Sequence, residues 1–330
     1  MTLNKFGFGL IAMLAAAGTH AADLKLAIVY DGSKFDRSFS QSASDGVERF
    51  KKETRLPVLE AQVNSSTQSE QVLRSLARKN VDMIAVISFA QAQAVQTVAA
   101  EFPKVKFVLI DGVAKGANVK SVLFKEEEGS YLAGVAAALA SKSKKIGFIG
   151  GMDIPLIRAF ACGYAQGAKS VDAKVELTQN MVGTTSAAWN DPARGGELAR
   201  AQFERGVDVV FGAAGGTGLG ILQTAKEKGK LAIGVNSNQN YLYPGTMLTS
   251  MLKRVDNAVY DSFTQLKNGQ FQAGTTSVGL KEGGVDWALD KDNRALISDA
   301  AEKRINAAKQ DIISGKVKVV DYRAGNSCSI

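Results

Sequence analysis

Short apolar runs alternate with helically spaced apolar stripes along nearly the whole chain, and this alternation constrains the fold more than any other feature of the sequence. The first unit sets the pattern. Leu24–Tyr30 is a mostly apolar run rich in β-formers, as in a strand buried on both faces. Ala43, Val47 and Phe50 then recur at helical spacing. Between them lies a polar loop, Asp31–Ser42, with Phe39 set amid Asp36, Arg37, Ser38, Ser40 and Gln41. A loop at the carboxyl end of a parallel strand is where open α/β sheets bind ligands. Phe39 there either walls a pocket or folds under the loop to fill a core gap.

Strand patterns follow at Pro57–Val63, Met83–Ser88, Lys106–Leu109 (running on into Ile110-Asp111-Gly112) and Val119–Phe124, with helical stripes between the earlier ones. Thr67 and Glu70 read as a capping box ahead of Val72, Leu73, Leu76 and Ala77. The grammar then restarts. Tyr131, Leu132, Val135 and Leu139 stripe one helix; Lys145–Gly150 is a strand; Asp153 with Pro155 fits a helix start. Further strands are expected at Asp208–Gly212, Leu231–Val235, Met247–Leu252, Thr275–Leu280, Trp287–Leu289 and Val317–Tyr322, and an Ala-rich helix near Leu296–Ile313. Two successive α/β halves predict two lobes around a cleft. By analogy with such folds the chain crosses more than once, giving one lobe from residues 23–125 plus 253–284 and another from 126–252 plus 285–330.

The 330 residues are 45% hydrophobic and 22% charged, enough for two globular domains. The formal charge of +8 is scattered and reads as solvated surface; no nucleic-acid partner is expected. Residues 1–22 have the pattern of a secretory signal peptide: Lys5 precedes the apolar stretch Phe6–Ala17, with cleavage near Ala21 or Ala22. Removing it also removes His20, the only histidine, so the exported chain has no Ser-His-Asp or Cys-His machinery and no histidine metal site. An oxidising compartment permits a disulfide between Cys162 and Cys328, but spacing alone leaves that open.

Four constellations invite chemistry. The run Gly212–Gly220 is glycine-rich but matches neither the dinucleotide spacing nor a phosphate-binding loop, and reads as a tight turn, a close approach to a ligand, or both. Glu126, Glu127 and Glu128 are either a carboxylate cluster for metal or acid chemistry or, more commonly for such a run, the acidic first turn of a helix. Asp111 ends a strand of apolar residues, where a carboxylate either faces the cleft or caps the following turn. Trp189, in the loop Gly183–Pro192, and Phe211 each could oppose Phe39 across a cleft, with core packing the alternative for Phe211.

Phe35-Asp-Arg-Ser-Phe-Ser-Gln41 resembles the Asp-Lys-Ser-Phe-Asn-Gln motif of the basic membrane protein family, solute-binding proteins of ABC transporters best known for binding purine nucleosides. Gly147-Phe-Ile-Gly-Gly-Met-Asp-Ile-Pro155, Ala213-Ala-Gly-Gly-Thr-Gly218 and Gly234-Val-Asn-Ser-Asn-Gln239 are similar to further motifs of that family in the same order. The resemblance implies a type I periplasmic-binding-protein fold, two Rossmann-like lobes with three crossovers and the ligand in the cleft between them. It makes Phe39 the ring that stacks on the nucleobase and puts Asp36, Ser40 and Asp111 at polar contacts. Phe211 or Trp189 becomes the opposing wall, and Asn236 and Lys253 take the ribose hydroxyls. Gln41 and Gly215 complete the candidate binding set. Two positions depart from the family pattern: Ser40 replaces an asparagine and Asn236 an aspartate.

The resulting expectation is a periplasmic, monomeric binding protein that delivers a purine nucleoside or purine base to an inner-membrane ABC permease, without catalysis and without a cofactor. A periplasmic ligand sensor and a nucleoside-processing hydrolase working through Asp36, Asp111 or Asp153 are the alternatives. With Asn236 in place of a carboxylate, Lys253 is expected to lack its nearest counter-charge, which would favour a ligand of greater acceptor character than a plain ribose diol.

Overall fold

The structure, a computed structural model, describes residues 24–328; the expected signal peptide and its expected cleavage point lie outside the described residues. The first sheet is laid down by β1 (Leu26–Asp31), β2 (Val58–Val63), β3 (Met83–Ile87), β4 (Lys106–Ile110) and β5 (Val119–Phe124). These strands are interleaved with α1 (Phe39–Thr54), α2 (Ser66–Ala77) and α3 (Ala92–Glu101). The chain then crosses into α4 (Glu126–Ala140), β6 (Lys145–Met152), α5 (Pro155–Val171), β7 (Glu176–Gly183), α6 (Pro192–Glu204), β8 (Val209–Ala213), α7 (Gly218–Glu227), β9 (Leu231–Asn236) and β10 (Met247–Lys253). It returns for α8 (Val255–Lys267) and β11 (Gly274–Val278), and crosses again to β12 (Val285–Trp287) and α9 (Asp299–Ile313).

The two six-stranded sheets have orders β11-β5-β4-β3-β1-β2 and β12-β10-β9-β8-β6-β7. Every pairing is parallel except that of β12 with β10. Each sheet therefore has a switch point, between β1 and β3 in one and between β6 and β8 in the other. Adjacent helices leave such a point on opposite faces, opening a crevice at the carboxyl ends of the strands. Leu26–Tyr30 are fully buried, as expected of a central strand covered on both faces.

Three local expectations change. The capping box does not form: Ser65 precedes α2, Thr67 hydroxyl donates to Ser65 Oγ, and Glu70 pairs with Arg74. Residues 317–322 join no ladder and instead cross α5, where Gln166 bonds both backbone groups of Val320. β7 carries no long apolar run because it is the edge of its sheet and half-exposed, so its pattern is easily passed over.

Helices α4 and α5 cross at backbone contact. A Cβ on Gly163 would come within 2.2 Å of Glu127 O, and one on Gly167 within 1.9 Å of Tyr131 O. Only glycine permits that approach, and it locks the start of α4 to α5.

Candidate functional site

One strand out from each switch point, at the ends of β4 and β9, the backbone takes an uncommon turn. Asp111, just after β4, and Asn236, the last residue of β9, adopt positive φ of 68° and 66°. The left-handed region is unfavourable for residues other than glycine, and such positions gather at binding sites. At the first switch point Ser88 Oγ donates to Asp31 Oδ2 at 2.6 Å, joining the ends of β3 and β1.

The centre of the site is an ion network joining the two sheets. Lys253, the last residue of β10, reaches Asp111 Oδ2 at 2.5 Å and Glu126 Oε1 at 2.8 Å. All three side chains are almost fully buried. The ammonium is also 5.2 Å from the Phe39 ring centroid and 5.0 Å from that of Phe124, so aromatic faces close the rest of its shell. Burial pushes Asp111 up to about 6, although Lys253 pulls it down. Burial disfavours the Lys253 charge, yet Asp111 and Glu126 hold it above the usual lysine range. The expected unbalanced lysine is therefore corrected: Lys253 has two carboxylates, neither of them at position 236. Among the described residues Asp111 Oδ1 is buried without a partner, and it can accept a hydrogen bond from a ligand.

Phe39 is the first residue of α1, so the polar loop is shorter than expected and Ser40 and Gln41 belong to the helix. Asp36 spends both carboxylate oxygens on that helix start: Oδ1 accepts from the Ser38 and Gln41 amides, Oδ2 from the Ser40 amide. These are first-turn amides with no partner inside the helix, and Asp36 satisfies them. Burial still raises the Asp36 carboxyl above its ordinary value against those bonds. Asp36 thus fixes the helix start that carries Phe39. Ser40 is buried in the same turn. Gln41 lies at the rim, in a depression of about 490 Å³ bordered by Phe35 and Arg37 on one side and Ser237 and Tyr241 on the other, and its amide donates to Asp45.

Asn236 is a latch. Its Nδ2 donates to Ser38 Oγ at 2.8 Å, Ser237 Oγ donates to Ser38 O at 2.7 Å, and Gln239 Nε2 donates to Arg37 O at 2.8 Å. An amide suits this position because it donates, which an aspartate would not.

At the second switch point Trp189 lies against Gly151, where a Cβ would fall 2.2 Å from the indole ring, and beside Gly215, whose φ of 57° turns the chain there. Trp189 is half-buried and available as a wall. Phe211 is not: it is fully buried within the second lobe, with Phe148 at 5.5 Å and Tyr164 at 5.4 Å between ring centroids. As a residue inside β8 with helices over its face, it takes the core role.

The structure thus brings Phe39, Asp111, Asn236 and Lys253 together, keeps Trp189 and Gly215 at the facing switch point, and leaves Gln41 at the rim and Phe211 in the core. Sequence reasoning missed Asp31, Ser38, Ser88, Glu126 and Gln239. Asp31 and Ser88 follow apolar strands directly, the same signal that singled out Asp111. Glu126 gave no such signal, since its first-turn position has a sufficient helical explanation.

Residues 24–322 match the family described as ABC transporter substrate-binding protein, PnrA-like. The chain is 37% identical to an ABC transporter nucleoside-binding protein, BmpA, of Lactococcus lactis, over 94% of this chain and 95% of that protein. It is 31% identical to basic membrane protein A of Borreliella burgdorferi, over 89% and 87% of the two chains. Among solved structures, an ABC transporter solute-binding protein from Aeropyrum pernix superposes with a TM-score of 0.83 at 29% identity, covering 91% of this chain and 94% of that one.

Proposed function

The chain belongs to the PnrA-like family of ABC transporter substrate-binding proteins, and from that premise we propose that its cleft captures a purine nucleoside and delivers it to an inner-membrane permease after export to the periplasm. The observation that carries the reading is the buried Lys253–Asp111 pair beneath Phe39, with Asp111 Oδ1 left unpartnered. An aromatic face stacks a planar base, and a buried carboxylate oxygen accepts one of its N–H groups or a ribose hydroxyl. The nucleoside-binding relative points the same way. With Lys253 already paired, nothing in the site calls for a ligand bearing extra negative charge, so a neutral nucleoside fits better than an acidic heterocycle.

The hydrolase alternative is disfavoured by commitment of its carboxylates. Asp36 is spent on backbone amides, Asp153 is paired with Arg158 at 2.6 Å, and Asp111 is held by Lys253. Calorimetric titration with adenosine, guanosine, inosine and their free bases tests the proposal. Saturable binding of at least one nucleoside, with no free base released on prolonged incubation, is expected. Silence across the whole panel, or release of base, contradicts it.

A further inference from the structure

Beyond α9 the chain doubles back as a strap across α5. Val320 donates its N–H to Gln166 Oε1 at 2.8 Å, and its carbonyl accepts from Gln166 Nε2 at 3.0 Å. The Arg158 guanidinium sits 5.8 Å from the Tyr322 ring centroid. Cys328, near the end of the strap, is disulfide-bonded to Cys162 of α5. The strap carries Arg323 to the first turn of α4. There Nη1 donates to Glu126 Oε2 at 2.7 Å, and Nη2 donates to Glu127 Oε2 at 2.9 Å and to Phe124 O at 3.2 Å. The other oxygen of Glu126 faces Lys253, which holds Asp111. One continuous run of contacts therefore joins a disulfide on the outer helix to the floor of the cleft.

Charge explains why the run matters. Lys253 contacts both buried carboxylates, Asp111 and Glu126, and its single charge can balance only one of them. Arg323 supplies the second cation, and Glu127 and Asp321 flank its guanidinium. Burial pushes Glu127 up to about 8, so it keeps its proton near neutrality and the inner four groups balance. Without the guanidinium, Glu126 would draw the ammonium wholly to itself and away from Asp111.

We infer that Arg323 is a positioning residue for the ligand cleft, held in place by the Cys162–Cys328 disulfide, and that it acts through Glu126 to keep Lys253 shared with Asp111. This rests on the reading of Asp111 and Lys253 as the ligand site. Calorimetry of the full protein with inosine, at pH 7.5 and pH 5.5, tests it in Arg323→Gln, Arg323→Lys and the Cys162→Ser/Cys328→Ser pair. Arg323→Gln should bind about tenfold more weakly than wild type at pH 7.5, within the usual span of coupling between sites. The ratio should shrink toward one at pH 5.5, where Asp111, which burial pushes up to about 6, takes up a proton in both proteins and no longer competes with Glu126 for the ammonium. Arg323→Lys should recover much of the neutral-pH affinity, and the double serine variant should behave like Arg323→Gln because its strap is released. An Arg323→Gln protein that tracks wild type at both pH values overturns the inference. So does a loss that is equal at both and not rescued by lysine, since that marks a merely structural role. If Arg323→Gln does not fold, the lysine and double serine variants decide. If wild type binds no purine nucleoside or base, the underlying reading has failed instead. The Lys253 ammonium resonance of labelled protein then still decides the coupling: it should move on disulfide reduction, and a fixed resonance refutes it.

Discussion

Phe39 opens α1 with its ring 5.2 Å from the Lys253 ammonium, held there by the Asp36 bonds to the helix start. Phe39→Ala should weaken nucleoside binding by roughly 1–3 kcal/mol, the range for bases stacked on aromatic side chains. Its ring is not fully buried, so the melting temperature of the ligand-free protein should change little. A variant that loses its fold but keeps residual affinity would assign Phe39 to the core. Glu127 gives a separate prediction. Burial raises its carboxyl from 4.5 to about 8, so the folded state holds a proton that the unfolded state releases. Stability from this group is complete below the unfolded value and is lost as pH rises toward about 8. Glu127→Gln keeps the acceptor for Arg323 and removes the titration, so its melting temperature should fall less than that of wild type between pH 5 and pH 8. Equal falls would refute the assignment. At this scale sequence reading went furthest where a residue's neighbours in the chain explain its position, as for Phe39 and Asp111. It failed for the charge balance of Lys253, because Asp111 and Glu126 reach the ammonium only through space.

The elements were legible wherever an apolar run or stripe faces a core, which covers the central strands and most helices. Those that fell outside are the half-exposed edge β7 and the strap at 317–322, where solvent removes the periodic signal. The α4–α5 crossing was legible only as scattered glycines. Its tightness predicts that Gly163→Ala, whose Cβ would meet Glu127 O at 2.2 Å, destabilises the protein by about 1–3 kcal/mol through forced separation of the two helices. Denaturant unfolding measures this. A neutral result would mean the helices part without cost, and would loosen the connection drawn from Cys162 to Glu126.

For the whole molecule, two largely parallel sheets are joined across their strand ends by side-chain contacts. Among the described residues, Ser38 with Val235, Asn236 and Ser237, Arg37 with Gln239, and Asp111 with Lys253 link the two sides, as do Arg323 with Phe124 O and Glu128 with the Leu280 amide. Under the proposed function, a ligand gripped by both sides adds the differential contact that shifts the population shut. The two-lobed architecture was legible from the alternation of elements, whereas the crossing points came from fold analogy. Small-angle X-ray scattering, recorded empty and then saturated with the tightest-binding nucleoside, tests this account most directly. It predicts a smaller radius of gyration and a changed profile on saturation. An identical profile at proven saturation would contradict a ligand held between closing lobes.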